Sequence, residues 1–208
     1  MRGFFSLLFV GGCLLLVGAG CAASPLALTP REEVSSPDEN TEITPSAPMP
    51  QWSYQGQLPQ ERITGKIARI STKYGDISIR LFADTAPLTV SNFVYLAESD
   101  YFNGLIFHRR EEGFVIQGGD PQGNGTGGPG YTFEDELNDD YTYKRGIVAM
   151  ANRGPDTNGS QFFIMLDDAP LPKAYSIFGE VIEGMEVVDQ IRRGDVMTEV
   201  TIVADAQE

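Results

Sequence analysis

Two blocks of this chain carry groups that can do chemistry. One runs Phe107-His108-Arg109-Arg110-Glu111-Glu112-Gly113-Phe114-Val115-Ile116-Gln117-Gly118-Gly119-Asp120. The other runs Met150-Ala151-Asn152-Arg153-Gly154-Pro155-Asp156-Thr157-Asn158-Gly159-Ser160-Gln161-Phe162-Phe163. Each sets a few polar groups, guanidinium or amide, among aromatic and aliphatic side chains. Neither motif holds an acid/base pair, a metal cluster or a nucleophile beside its base. Such a mixture suits holding an apolar group and polarising one atom of it. It fits rotation about a bond better than hydrolysis, which needs an activated nucleophile.

The elements that must position these blocks are short strands and two helices. Residues 67–72 and 76–81 alternate Ile or Leu with polar residues about the turn Lys73-Tyr74-Gly75, as a half-buried antiparallel pair should. Asp84-Thr85-Ala86-Pro87 offers an N-cap candidate followed by proline in a first turn. Val90, Phe93, Val94 and Ala97 then share one helical face. Further strands are expected at 105–109, 115–118, 131–133, 147–151, 162–166, 176–181 and 200–203, and a second helix over 185–193 ending at Gly194. Many short strands with two separated helices suggest a mainly β fold, a closed barrel capped by helices. Phe162 and Phe163 are neighbours on a strand, so one faces the core and the other the opposite side.

The chain has 208 residues, 41% of them hydrophobic, enough for one ordinary domain plus extensions. Its formal charge of -14 argues against nucleic acid, whose phosphates demand a basic surface. The charge serves solubility, with a preference for basic clients as the sharper alternative. Cys13 and Cys21 are the only cysteines and His108 the only histidine, which excludes a disulfide framework and a thiolate or histidine metal site in the folded region. Glu134-Asp135-Glu136 lacks metal-loop spacing and reads as a solvated charged turn. The glycines of 123–128 have no Lys-Ser/Thr after them and read as a tight-turn loop, not a phosphate cradle.

Residues 1–21 read as an export signal: Arg2, an apolar run from Phe4 to Val17, then Gly18-Ala19-Gly20 before Cys21. Cys21 stands where a bacterial lipobox places its acylated cysteine, although Gly18 stands where Leu is usual. The alternative is ordinary cleavage near Ala22-Ala23-Ser24. Residues 22–60 are punctuated by seven prolines among Ser, Thr, Glu and Asn and read as an extended tether, with Trp52 and Tyr54 as exceptions that either pack on the domain or are local stickiness. The domain is placed at 61–208. The expected location is the extracytoplasmic side of a cell membrane or envelope, through a lipid anchor at Cys21.

The two blocks, with Asn124-Gly125-Thr126-Gly127-Gly128 and Phe133-Glu134-Asp135-Glu136, resemble the cyclophilin family of peptidyl-prolyl cis/trans isomerases over roughly 63–204. The resemblance implies a closed eight-stranded antiparallel barrel capped by two helices. It implies isomerase activity on proline-containing polypeptides, no cofactor, no metal and a monomer. It matches Arg109 to the catalytic arginine, with Gln117 positioning it or the substrate carbonyl. Phe114, Val115, Ala151, Asn152, Gln161, Phe163, Leu171 and Tyr175 match groove and proline-pocket positions. It selects Phe163 for the groove, and His108 lines the groove or supports it, because rotation needs no base. Val115 stands where many members have Met, and Tyr175 where many have His. Pro170 replaces a tryptophan, so strong cyclosporin binding is not expected. The competing reading is a proline-peptide binding module or holdase with little turnover; a hydrolase built on the acidic residues is weaker still.

Overall fold

The computed structural model describes residues 51–205. The expected signal with Cys21, and the tether as far as residue 50, lie outside the described residues. Alternating Ile residues pair β1 (Lys66–Thr72) with β2 (Gly75–Leu81), Ile70 opposite Ile77 and Ala68 opposite Ile79. All four point inward and are fully buried. Six more strands follow: β3 (Arg109–Glu111), β4 (Val115–Gly118), β5 (Ile147–Met150), β6 (Phe162–Met165), β7 (Ile177–Glu183) and β8 (Glu199–Ala204).

These eight strands form one antiparallel sheet in the order β3-β4-β6-β5-β7-β2-β1-β8, curled into a half-barrel. The edge strands β3 and β8 share no ladder. Between them, residues 104–107 meet 194–197 through the Ile106–Val196 bridge and bonds such as Phe107 N–H to the Asp195 carbonyl, 2.8 Å. Gly104 and Gly194, both at positive φ, bend these segments at their entries and limit the pairing. The strand expected over 105–109 therefore shifts to Arg109–Glu111. The strand expected over 131–133 reduces to a single bridge, Phe133 with Asn158.

The half-barrel is filled by rings. Phe93, Phe102, Phe162 and Phe178 are buried together, with Phe93 4.8 Å from Phe102 and 5.3 Å from Phe178 between ring centroids. Phe93 comes from α2 (Pro87–Glu98), the one long helix among the described residues. The expected cap at Asp84 or Thr85 does not form: Ala86 is the N-cap and has no side-chain bond. The Glu136 carboxylate instead accepts the N–H groups of Leu88 at 2.9 Å and Thr89 at 2.8 Å, and the Thr89 hydroxyl at 2.8 Å. An anion at a helix N-terminus satisfies orphan donors and meets the positive end of the dipole. The reading of residues 134–136 as a solvated turn is thus corrected. Glu136→Ala should lower unfolding stability by about 1–2 kcal/mol, the range of lost helix caps, measured by urea unfolding; Glu136→Gln should retain part of it.

The last helix is shorter than expected. α3 spans Met185–Val188, not 185–193. Arg110 reaches over from β3 and donates to the Ile191 carbonyl at 2.8 Å, so that the chain end is satisfied without another turn. The stretch 51–60, which its composition marks as tether, lies on the domain. Trp52 meets Tyr101 edge-on at 4.6 Å, Tyr54 stacks on Phe133 at 5.4 Å, and Leu58 is buried. A short helix, α1 (Gln60–Ile63), completes this contact. Three apolar anchors in this short stretch outweigh its otherwise polar composition.

Candidate active site

The site lies on the outer face of β4, β6 and β5. Along these strands inner residues alternate with outer ones: Ile116, Phe162, Ile164, Val148 and Met150 fill the interior. Val115, Phe163, Met165, Ile147, Ala149 and Ile177 form a second apolar cluster outside. Both faces of these strands are buried, which is why 147–150 and 162–165 read as unbroken apolar runs. Phe163 is therefore the outward ring and Phe162 the core ring.

Antiparallel register aligns three of the expected residues in a row. Arg109 stands opposite Gln117, and Gln117 opposite Phe163. Arg109 Nη1 donates to Gln117 Oε1 at 3.2 Å. Gln117 Nε2 then donates to Gln161 Oε1 at 2.9 Å, and Gln161 Nε2 to the Gly127 carbonyl at 2.9 Å. This relay holds the guanidinium 5.8 Å from the centre of the Phe114 ring, within cation–π reach. The Arg109 side chain remains 43% exposed, with donors left for a ligand. Glu111, which no sequence pattern marks, touches Arg109 Nε at 3.5 Å.

The apolar floor is set by a lid of loops. Tyr175 packs edge-on against Phe163 at 5.5 Å. Tyr143, absent from the residues expected at the site, fixes Tyr175 at both ends of its backbone: its hydroxyl donates to the Tyr175 carbonyl at 3.0 Å and accepts the Tyr175 N–H at 3.1 Å. Phe114, Leu171 and Tyr175 are half-buried at the rim of this cluster, while Val115 is 2% exposed and supports the floor from below.

Gln117, Ala151, Asn152 and Gln161 also line a cleft of about 600 Å³ bounded by the 125–132 loop. Asn152 is anchored by its own amide, which donates to the Ala174 carbonyl at 2.8 Å. No backbone partner among the described residues takes the Asn152 N–H or carbonyl. A free backbone edge beside an apolar floor is what an extended peptide pairs with. The loop depends on Asp120: burial works against its charged form, but the N–H groups of Gln122, Gly125 and Asn124 outweigh this and hold the carboxyl below its usual range.

His108 is buried beneath Arg109, and neither ring nitrogen has a partner among the described residues. Burial holds the imidazole below the ordinary histidine range, aided by Arg109 and Arg193 and opposed by Asp120. The unfolded chain gains its proton near pH 6.5, about the unperturbed value, while the folded chain resists it. Stability from His108 is therefore present above about pH 6.5 and falls as pH drops below it. His108→Gln should flatten that part of the profile, measured by urea unfolding on either side of that pH.

A profile of the family described as cyclophilin type peptidyl-prolyl cis-trans isomerase/CLD matches residues 67–206. The human peptidyl-prolyl cis-trans isomerase-like 3 is 46% identical over 129 residues, covering 60% of this chain and 80% of that protein. A peptidyl-prolyl cis-trans isomerase of Helicobacter pylori is 46% identical over 137 residues, covering 64% and 84%. Among solved structures, a cyclophilin type isomerase of Cryptosporidium parvum superposes with a TM-score of 0.64 at 37% identity, covering 67% of this chain and 98% of that one. A second crystal structure of that protein, in the presence of the dipeptide Ala-Pro, gives 0.59 at 39% identity over 66% and 98%.

Proposed function

From the premise that this chain belongs to the cyclophilin-type peptidyl-prolyl cis-trans isomerases, we propose that it turns Xaa-Pro bonds of exported polypeptides from a lipid anchor on the extracytoplasmic side. The observation that carries the site assignment is the Arg109 guanidinium, held by Gln117 against Phe114 beside the Phe163 floor.

Conjugation across C–N sets a barrier of about 18–20 kcal/mol. As the bond twists, the prolyl nitrogen regains a lone pair and becomes a hydrogen-bond acceptor. A donor aimed at it stabilises the twisted state above either planar one, which is what acceleration requires. Arginine suits this role because it stays charged and carries several donors in one plane, so one can bond Gln117 while another meets the substrate. Phe114, Phe163 and Leu171 hold the proline ring by burying its surface, with Val115 beneath and Tyr175 behind. The Asn152 backbone, beside Ala151 and Gln161, fixes the peptide on the other side of the bond. One end is held while the other turns, with no covalent intermediate and no cofactor in the reaction.

The anchor rests on Cys21 following Gly18-Ala19-Gly20 after an apolar run. Acylation there would supply more than one chain, as stable anchoring needs. The same reading completes the barrel through the 104–107 and 194–197 segments and keeps the protein a monomer. Two measurements test it. Exchange of a short Xaa-Pro peptide by NMR should quicken when the full chain is added, and binding without faster exchange would leave only a recognition module. Mass spectrometry of the membrane fraction should find Cys21 as an acylated N-terminus, and an unmodified soluble chain would overturn the anchor.

A further inference from the structure

A second recess of about 460 Å³ opens next to Arg109, lined by His108, Arg109, Arg110, Glu111, Gln117, Arg193 and the loop residues Asn124 and Gly125. Three guanidiniums meet here in a chain whose formal charge is -14. They are not equivalent. Arg110 is already engaged: it forms a two-bonded pair with Glu112 at 2.8 and 2.9 Å and donates to the Ile191 carbonyl. Arg109 has one loose acidic contact, Glu111 at 3.5 Å, and Glu111 is itself 57% exposed. Arg193 is exposed and has no ion pair or hydrogen bond among the described residues.

The recess is built. The turn bearing Arg193 is tied to the segment before β3 by Gly194 N–H to the Phe107 carbonyl, 2.8 Å, and Asp195 closes the turn by accepting the Arg192 N–H at 2.7 Å. Asp120 pins the opposite wall by accepting the N–H groups of Asn124 and Gly125. The floor is His108, 7% exposed, with both nitrogens unpartnered. Gly125 lies over the His108 ring: a Cβ there would sit 3.9 Å from His108 Nε2, an ordinary packing distance. A preformed recess in which Arg109 and Arg193 keep exposed donors suits an anionic acceptor from outside.

We propose that this recess is a subsite for an acidic side chain of the bound polypeptide, with Arg193 setting the preference. The inference rests on the isomerase reading, which places the peptide across Arg109. A carboxylate near the proline would reach Arg193 and the free face of Arg109, over the buried His108 ring. Locally this opposes the sign of the overall charge.

The test uses the full chain and peptides in which Glu, Gln or Lys is placed in turn at each of the three positions on either side of one proline. Affinity is read by NMR titration and turnover by exchange. At one position Glu should bind about five-fold more tightly than Gln at low salt, the scale of one charge-assisted contact at a partly exposed site. Salt at about 0.5 M, where the Debye length falls to about 4 Å, should erase the gap. Arg193→Gln should remove the Glu-over-Gln ratio, and Arg193→Glu should invert it to favour Lys, which loss of structure would not do. Equal binding of Glu and Gln peptides at every position, or a ratio indifferent to Arg193, would overturn the subsite. Absence of faster exchange with any peptide would sink the isomerase reading instead, and the titration would still decide the subsite.

Discussion

Arg109→Ala is expected to lower kcat/KM for Xaa-Pro exchange by roughly 10²–10³-fold, about 3–4 kcal/mol of transition-state stabilisation, the scale of removing one aimed donor from a preorganised site. The side chain is already placed. Its Nη1 is on Gln117, which is braced by Gln161 and through it by the Gly127 carbonyl. No reorganisation is needed when the prolyl nitrogen acquires its lone pair. The apolar floor does not depend on Arg109, so peptide affinity should change far less than turnover. Arg109→Lys should lose most of the same factor, because an ammonium cannot bond Gln117 and present a second coplanar donor to the substrate. Exchange NMR with a parallel binding titration separates the two quantities. A loss below about ten-fold with affinity intact would remove Arg109 from the chemistry.

Phe162→Ala and Phe163→Ala should part company although the residues are adjacent. Phe162 is fully buried in the interior, 5.6 Å from Phe93 and 5.9 Å from Phe102. Its truncation should cost about 3–5 kcal/mol of stability, as for buried aromatic rings elsewhere, while the surviving folded protein keeps its KM. Phe163 lies in the outer cluster against Tyr175. If it is the proposed proline-holding ring, removing it should raise KM about ten-fold or more, consistent with about 1–3 kcal/mol of lost apolar burial, with a smaller loss of stability. Urea unfolding and substrate titration on both variants check the pair. Equal stability losses with unchanged KM for Phe163→Ala would mean that both rings are simply core.

Much of the fold was legible in the sequence. The period of two in 67–72 and 76–81 placed β1 and β2 within a residue, because an inward Ile at every second position has one stable register against a core. The helical face of Val90, Phe93, Val94 and Ala97 located α2 for the same reason. The end of α3 and the partner of the α2 N-terminus were not legible. Arg110 and Glu136, which decide them, lie far from those helices in sequence and act through long-range polar contacts that leave no periodic trace. The polar composition of 22–60 drew 51–60 into the tether apart from Trp52 and Tyr54, since three anchoring side chains weigh little in a composition and much in a packed structure.

The site divides in the same way. Sequence by itself determined the family and the opposite facing of Phe162 and Phe163, and it named the candidates for the site, because those follow from residue type, order and strand alternation. Only the tertiary structure decided that Arg109, Gln117 and Gln161 form one relay ending on Gly127, that Tyr143 holds the Tyr175 backbone, and that Arg193 comes to stand beside Arg109 with no acidic partner among the described residues. Each of these joins residues from separate strands and loops, and such neighbours are set by sheet order and curl, which no local pattern encodes.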